Sequence, residues 1–184
     1  MELYKPLGIT AAVVLVLGLM LLVRKWPQGF HATFSQHAAA YWHTILYYNL
    51  LFTIVLPLLV LFFVGWFALY FELPPVFTIC LVISAVAQYI VTIIPETGGW
   101  KTRWHRMITA ISALLLLPAL AVLLFAPALS FVGRLIVLVG LFVMLGILVF
   151  VVFVNGRYRY LLWLQASYYA AFLMPILLVA YAGL

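Results

Sequence analysis

The run Ile93–Pro118, IIPETGGWKTRWHRMITAISALLLLP, decides the fold. A basic, tryptophan-flanked loop over 95–106 sits between two apolar segments. Working outward, the same alternation recurs around Trp42-His43 and, more faintly, over 155–163. A helix needs about 20 mostly apolar residues to cross the hydrocarbon core. Six windows approach that length: 7–23, 44–71, 76–94, 106–126, 130–154 and 160–183. In lipid every backbone polar group must be satisfied within its own segment or a closed barrel, which leaves helices or barrel strands. Barrel strands alternate polar and apolar residues, and neither 114–117 nor 148–154 alternates. The chain is therefore expected to be all-α, one polytopic membrane domain over 1–184 with six transmembrane helices.

Composition agrees. Of 184 residues, 70% are hydrophobic and 7% charged, against about 25% charged in soluble domains. Mean hydropathy is +1.32. The net charge of +6 lies in short loops between apolar runs, where basic residues set membrane orientation, so nucleic acid is not an expected partner. The acids are Glu2, Glu72 and Glu96, with no Asp, so a catalytic carboxylate pair is hard to assemble. Cys80 is single and excludes an internal disulfide or a cysteine-based zinc site. The N-terminal run resembles a signal peptide, but no small-residue cleavage site follows and Arg24-Lys25-Trp26 reads as a stop at the membrane surface. It is expected to be a retained first span.

Arg24, Lys25, Lys101, Arg103, Arg106, Arg157 and Arg159 fall on one side of this layout, Lys5 and Arg134 on the other. The rule that cytoplasmic loops carry the excess of Lys and Arg puts the odd-numbered loops in the cytoplasm and both termini outside. The expected location is a bacterial-type cytoplasmic membrane. Trp26, Trp42, Trp100, Trp104 and Trp163 join the basic face as an interfacial belt, and Trp66 belongs near the opposite interface.

Local signals are sharper. Thr33 with Gln36 three residues on spells a capping box. A helix from there to Phe71 would overrun the membrane, so 35–42 is expected to form an interfacial turn carrying His37 and Tyr41 on one side. Pro57 is expected to kink the second span. Ser84, Gln88 and Thr92 repeat every four residues and should face other helices. Ser130 is a candidate N-cap, Gly133, Gly140 and Gly146 permit close packing, and Asn155-Gly156 reads as a turn.

Pro57, Pro118 and Pro175 recur at intervals of 61 and 57 residues, each downstream of a tryptophan, and two of those are Trp-His pairs. This reads as three helical hairpins repeated about an axis along the membrane normal. Resemblance through Leu-rich composition alone is the competing account. The repeat would place His43 and His105 at similar depth beneath the basic surface.

All four histidines, His31, His37, His43 and His105, map to that face. They form a candidate site with His43 and His105 as acid or base, and Lys101, Arg103, Arg106, His37 and Trp104 as ligand-binding groups for an anion. Ordinary interfacial enrichment of His, Trp and Tyr is the plainer account. No metal site is expected, since His37 and His43 are six apart and share no helix face. No histidine lies deep enough for haem, and no cofactor is indicated. Asn49 and Thr53, with Ser84, Gln88, Thr92 and Gln165, could line a polar path or serve as interhelical glue. No ionisable group lies near mid-membrane, which disfavours ion-coupled transport.

Thr33–Gln36 after the first span, and Ile94-Pro95-Glu96 followed by His105, resemble a bacterial six-span membrane family of unknown function related to the DRAM and Sfk-type proteins. The resemblance implies that the two loops share one face and cooperate. In that family these loops face outward, whereas the positive residues here place them inward.

The expected function is binding or modification of an anionic lipid head group at the His/Arg/Trp face, with membrane lipids as partners. The alternatives are a packing subunit in a homo-oligomer or larger membrane complex, and a passive solute path.

Overall fold

The structure, a computed structural model, describes residues 2–154 and 157–183. Among these residues six helices are long and apolar enough to cross a membrane, and no strand occurs. The chain is an all-α bundle of membrane-protein character. The expected Asn155-Gly156 turn and the side chain of Arg157 lie outside the described residues.

Helix α1 spans Lys5–Lys25, and a short helix α2 spans Phe34–Ala39. Helix α3 (Trp42–Phe62) runs through Pro57 into a π-helical turn, Phe63–Phe67, and ends as α4 (Ala68–Tyr70). Then come α5 (Pro75–Ile93), α6 (Gly99–Leu123), α7 (Phe131–Phe153) and α8 (Leu161–Ala182). Five of the six spans match the sequence reading to within about two residues. The exception is α6, which begins at Gly99, so the basic run 100–106 is helix and not loop. The turn that starts it needs positive φ at Gly98 (102°) and Gly99 (58°), a backbone region nearly closed to other residues.

The closest packing is within hairpins: α1 with α3, α5 with α6, α7 with α8. The hairpins join through α3 against α5 and α6 against α7, while α8 meets α1 only sparsely. At Gly140 α7 comes so close to α8 that an added Cβ would lie 2.6 Å from the Ala171 carbonyl oxygen; Gly146, by contrast, faces open space. Helix α8 reaches its other neighbours through long side chains. The Tyr168 hydroxyl donates to the Ala113 carbonyl of α6 at 2.7 Å, and the Tyr169 hydroxyl donates to Gln88 Oε1 of α5 at 3.0 Å.

The main core gathers at the end of the bundle that holds the chain termini. There the π-helical turn lets Phe62, Phe63, Trp66 and Phe67 all turn inward against Phe77 and Phe172. Trp66 stands at the expected end but is fully buried, with its Nε1–H donating to Glu2 at 3.1 Å. It belongs to the core and not to a surface belt.

Candidate functional site

The basic end is organised by α2. Thr33 Oγ1 accepts the Gln36 N–H at 3.2 Å, and Gln36 Oε1 accepts the Thr33 N–H at 2.9 Å, so the capping box forms as its sequence spells. The cap leaves the Phe34 N–H free of intrahelical partners, and Gln165 Oε1 of α8 accepts it at 2.9 Å. Phe34, Ser35, His37 and Ala38 are all buried. What reads from sequence as an interfacial turn is a short helix tucked into the bundle end. His37 is fully enclosed while Tyr41 is exposed, so they do not share a side.

The histidines separate. His37 Nδ1 lies 2.9 Å from the Thr33 carbonyl and His105 Nδ1 lies 2.6 Å from the Ile94 carbonyl. A carbonyl only accepts, so Nδ1 carries a proton in both. The Ile94 carbonyl caps the end of α5, one of the acceptors a helix terminus leaves over. His105 thus ties α6 to α5. His43 is exposed one residue into α3 and stacks on Tyr41 at 5.4 Å, and Trp26 packs beside it at 5.5 Å. Residues His43 and His105, paired by the apparent repeat, therefore occupy different environments, the first exposed and the second buried. The reason is their place in the helix: α3 starts at its tryptophan, whereas α6 starts five residues before its own.

Loop 1 and the α5–α6 turn do meet. Ser35, Ala38, Tyr48, Thr92, Pro95 and His105 are among the residues lining a cavity of about 10 Å³. That is room for about one water, too small for a substrate. Among the described residues, His37 Nε2 and Asn49 Oδ1 are the buried side-chain atoms left without a hydrogen-bond partner.

Of the expected anion-binding groups, Arg106 is taken. Its Nε and Nη2 both lie 2.7 Å from Glu96 Oε1, and the Glu96 side chain is only 6% exposed. Glu96 is the one acid that the sequence layout puts at this end of the bundle, the signal that could have exposed the pair. Lys101 and Arg103 stay exposed, bracketed by exposed Trp100 and Trp104. Arg24, Lys25 and Arg159 are exposed at the same end, with Lys25 Nζ 4.8 Å from the Trp26 ring centroid.

The intramembrane polar residues bond mainly with one another. Ser84 Oγ and Ser112 Oγ are 2.9 Å apart, and each hydroxyl also lies near the other residue's carbonyl, at 3.0 and 3.1 Å. Gln88 Oε1 accepts from the Tyr169 hydroxyl at 3.0 Å. Thr92 donates to its own helix at Tyr89. The bonds of Ser84 and Gln88 join α5 to α6 and to α8, as interhelical glue does. The sequence offers Gln165 as a candidate path residue and shows Tyr169 in the last span, but not their partners, Phe34 and Gln88, which are long-range. Among the described residues no group of three or more His, Cys, Asp or Glu stands ready for a metal ion.

No protein-family model, no curated protein and no solved structure matches this chain.

Proposed function

We propose that the chain binds anionic lipid head groups at the basic end of the bundle, through Lys101 and Arg103 held between Trp100 and Trp104. One observation carries this reading. Three cations, Lys101, Arg103 and Arg106, crowd the N-terminal part of α6, and Lys101 stands in its first turn, where the helix macrodipole is positive and a cation is locally unfavourable. The single nearby carboxylate neutralises only Arg106. Among the described residues Lys101 and Arg103 have no ion pair, and they stand beside two exposed indoles, the side chains that settle at the head-group level. A local conflict of this kind is what a functional site leaves in a sequence. We place the protein in a bacterial-type cytoplasmic membrane with this end inward and both termini outside, on the distribution of positive residues.

The reading is of binding without chemistry. His105 is engaged as a cap on α5, His43 lies on the outer surface, and the cavity between the loops takes one water. Native mass spectrometry of the protein released from nanodiscs of mixed phosphatidylglycerol and phosphatidylcholine tests it. Each cation near an anionic surface is worth about 1 kcal/mol, so Lys101→Ala with Arg103→Ala should lower phosphatidylglycerol enrichment about thirtyfold. Unchanged enrichment in the double variant would reject the reading.

A further inference from the structure

The geometry points to a second lipid site at the opposite end: the seam between α1 and α8 holds one acyl chain of a phospholipid from the leaflet on the side of the chain termini. This seam is the weak closure of the bundle. The helices join at its outer end, where the Tyr181 hydroxyl donates to the Lys5 carbonyl and the Ile9 N–H donates to the Tyr181 hydroxyl at 3.2 Å. From there a groove of about 490 Å³ runs inward, walled by Ile9, Val13 and Leu17 of α1 and by Met174, Leu178 and Tyr181 of α8.

Three features select the occupant. The groove is apolar throughout and opens sideways into hydrocarbon, so acyl chains are the medium at hand, and an unfilled crevice would forfeit dispersion contacts along its walls. Its length fits one leaflet. Ile9 to Leu17 covers about 12 Å of helix axis at 1.5 Å per residue, against about 15 Å for half of a 30 Å core. A cation stands at the outer end: Lys5 begins α1, its Nζ 5.0 Å from the Trp66 ring centroid, and among the described residues no carboxylate lies within ion-pair distance of it. Lys5 lies four residues, about one helical turn, before Ile9, so a phosphate at the interface would meet a cation at the outer end of the groove.

A second transmembrane helix fits less well. Close helix approach in lipid relies on small residues, and here Ala12 forms a buried floor between branched or long side chains that stand up as ridges. The groove also extends over only about half a span. This site lies at the far end from Lys101 and Arg103, and its argument is independent of theirs.

The test uses the full chain in nanodiscs of phosphatidylcholine bearing a mid-chain diazirine, photolysed and mapped by peptide mass spectrometry. Adducts should concentrate on residues 9–17 and 174–181, several-fold above the equally lipid-exposed α7 surface at Val139 and Phe142. Ala12→Trp should fill the floor and lower the groove adducts several-fold while sparing those on α7. Leu178→Trp, on the half-open rim, provides the same test should the Ala12 variant fail to fold. Lys5→Gln should lower groove labelling as well. Equal labelling of α7 and the groove would overturn the proposal, marking only ordinary annular lipid. So would a native dimer that Leu178→Trp converts to monomer, because a second copy would then fill the seam.

Discussion

The backbone N–H of Phe34 donates to Gln165 Oε1 at 2.9 Å across 131 residues of sequence, and this bond joins the short helix at the basic end to the last span. Phe34 sits at the first position of α2, where an amide has no intrahelical acceptor, so an outside acceptor is required. Gln165→Leu keeps the volume and removes that acceptor. We expect a loss of about 1–3 kcal/mol, the cost of a buried donor left unmet. Hydrogen exchange over residues 33–41 should accelerate, with the α5–α6 pair unaffected.

The Ser84–Ser112 contact is the best-defined polar link between α5 and α6. Interhelical hydrogen bonds in membranes average about 0.6 kcal/mol in double-mutant cycles, because the unfolded state also finds partners. A cycle of Ser84→Ala and Ser112→Ala, read by unfolding in mixed micelles, should give a coupling of about 0.5–1.5 kcal/mol. A solute-flux assay should leave the double variant unchanged if these hydroxyls are glue.

Gly140 and Gly146 are near neighbours on α7 with opposite requirements. A side chain at 140 meets the Ala171 carbonyl oxygen and the Pro175 ring, both at 2.6 Å, and neither can swing away. Gly140→Val should separate α7 from α8 and cost about 1–3 kcal/mol or more, as overpacking does. Gly146→Val meets nothing and should be near neutral in the same unfolding assay.

Glu96→Gln releases Arg106. The arginine is 65% exposed, so the stability change should stay below about 1 kcal/mol. If lipid capture at this end is electrostatic, the freed guanidinium should raise phosphatidylglycerol enrichment above wild type by native mass spectrometry. A fall in enrichment would instead mean that the pair holds Lys101 and Arg103 in position.

The six spans and the basic end were determined by the sequence alone, because hydrocarbon excludes charge and unsatisfied backbone whatever the tertiary arrangement. Thr33 with Gln36, and Ser130, whose Oγ accepts the Gly133 N–H at 3.0 Å, were equally legible, since each cap closes within three residues. The inward turn of Ser84 and Gln88 followed from polarity. Only the tertiary structure decided that His105 caps α5 while His43 stays outside, that Arg106 is spent on Glu96, and that Gln165 holds α2. The physical reason is that a membrane helix is apolar on every face, so its hydrophobic pattern carries no record of which face a neighbour covers. The seam between α1 and α8 lay hidden for the same cause: Ile9 and Leu178 read alike whether they meet a helix or a lipid.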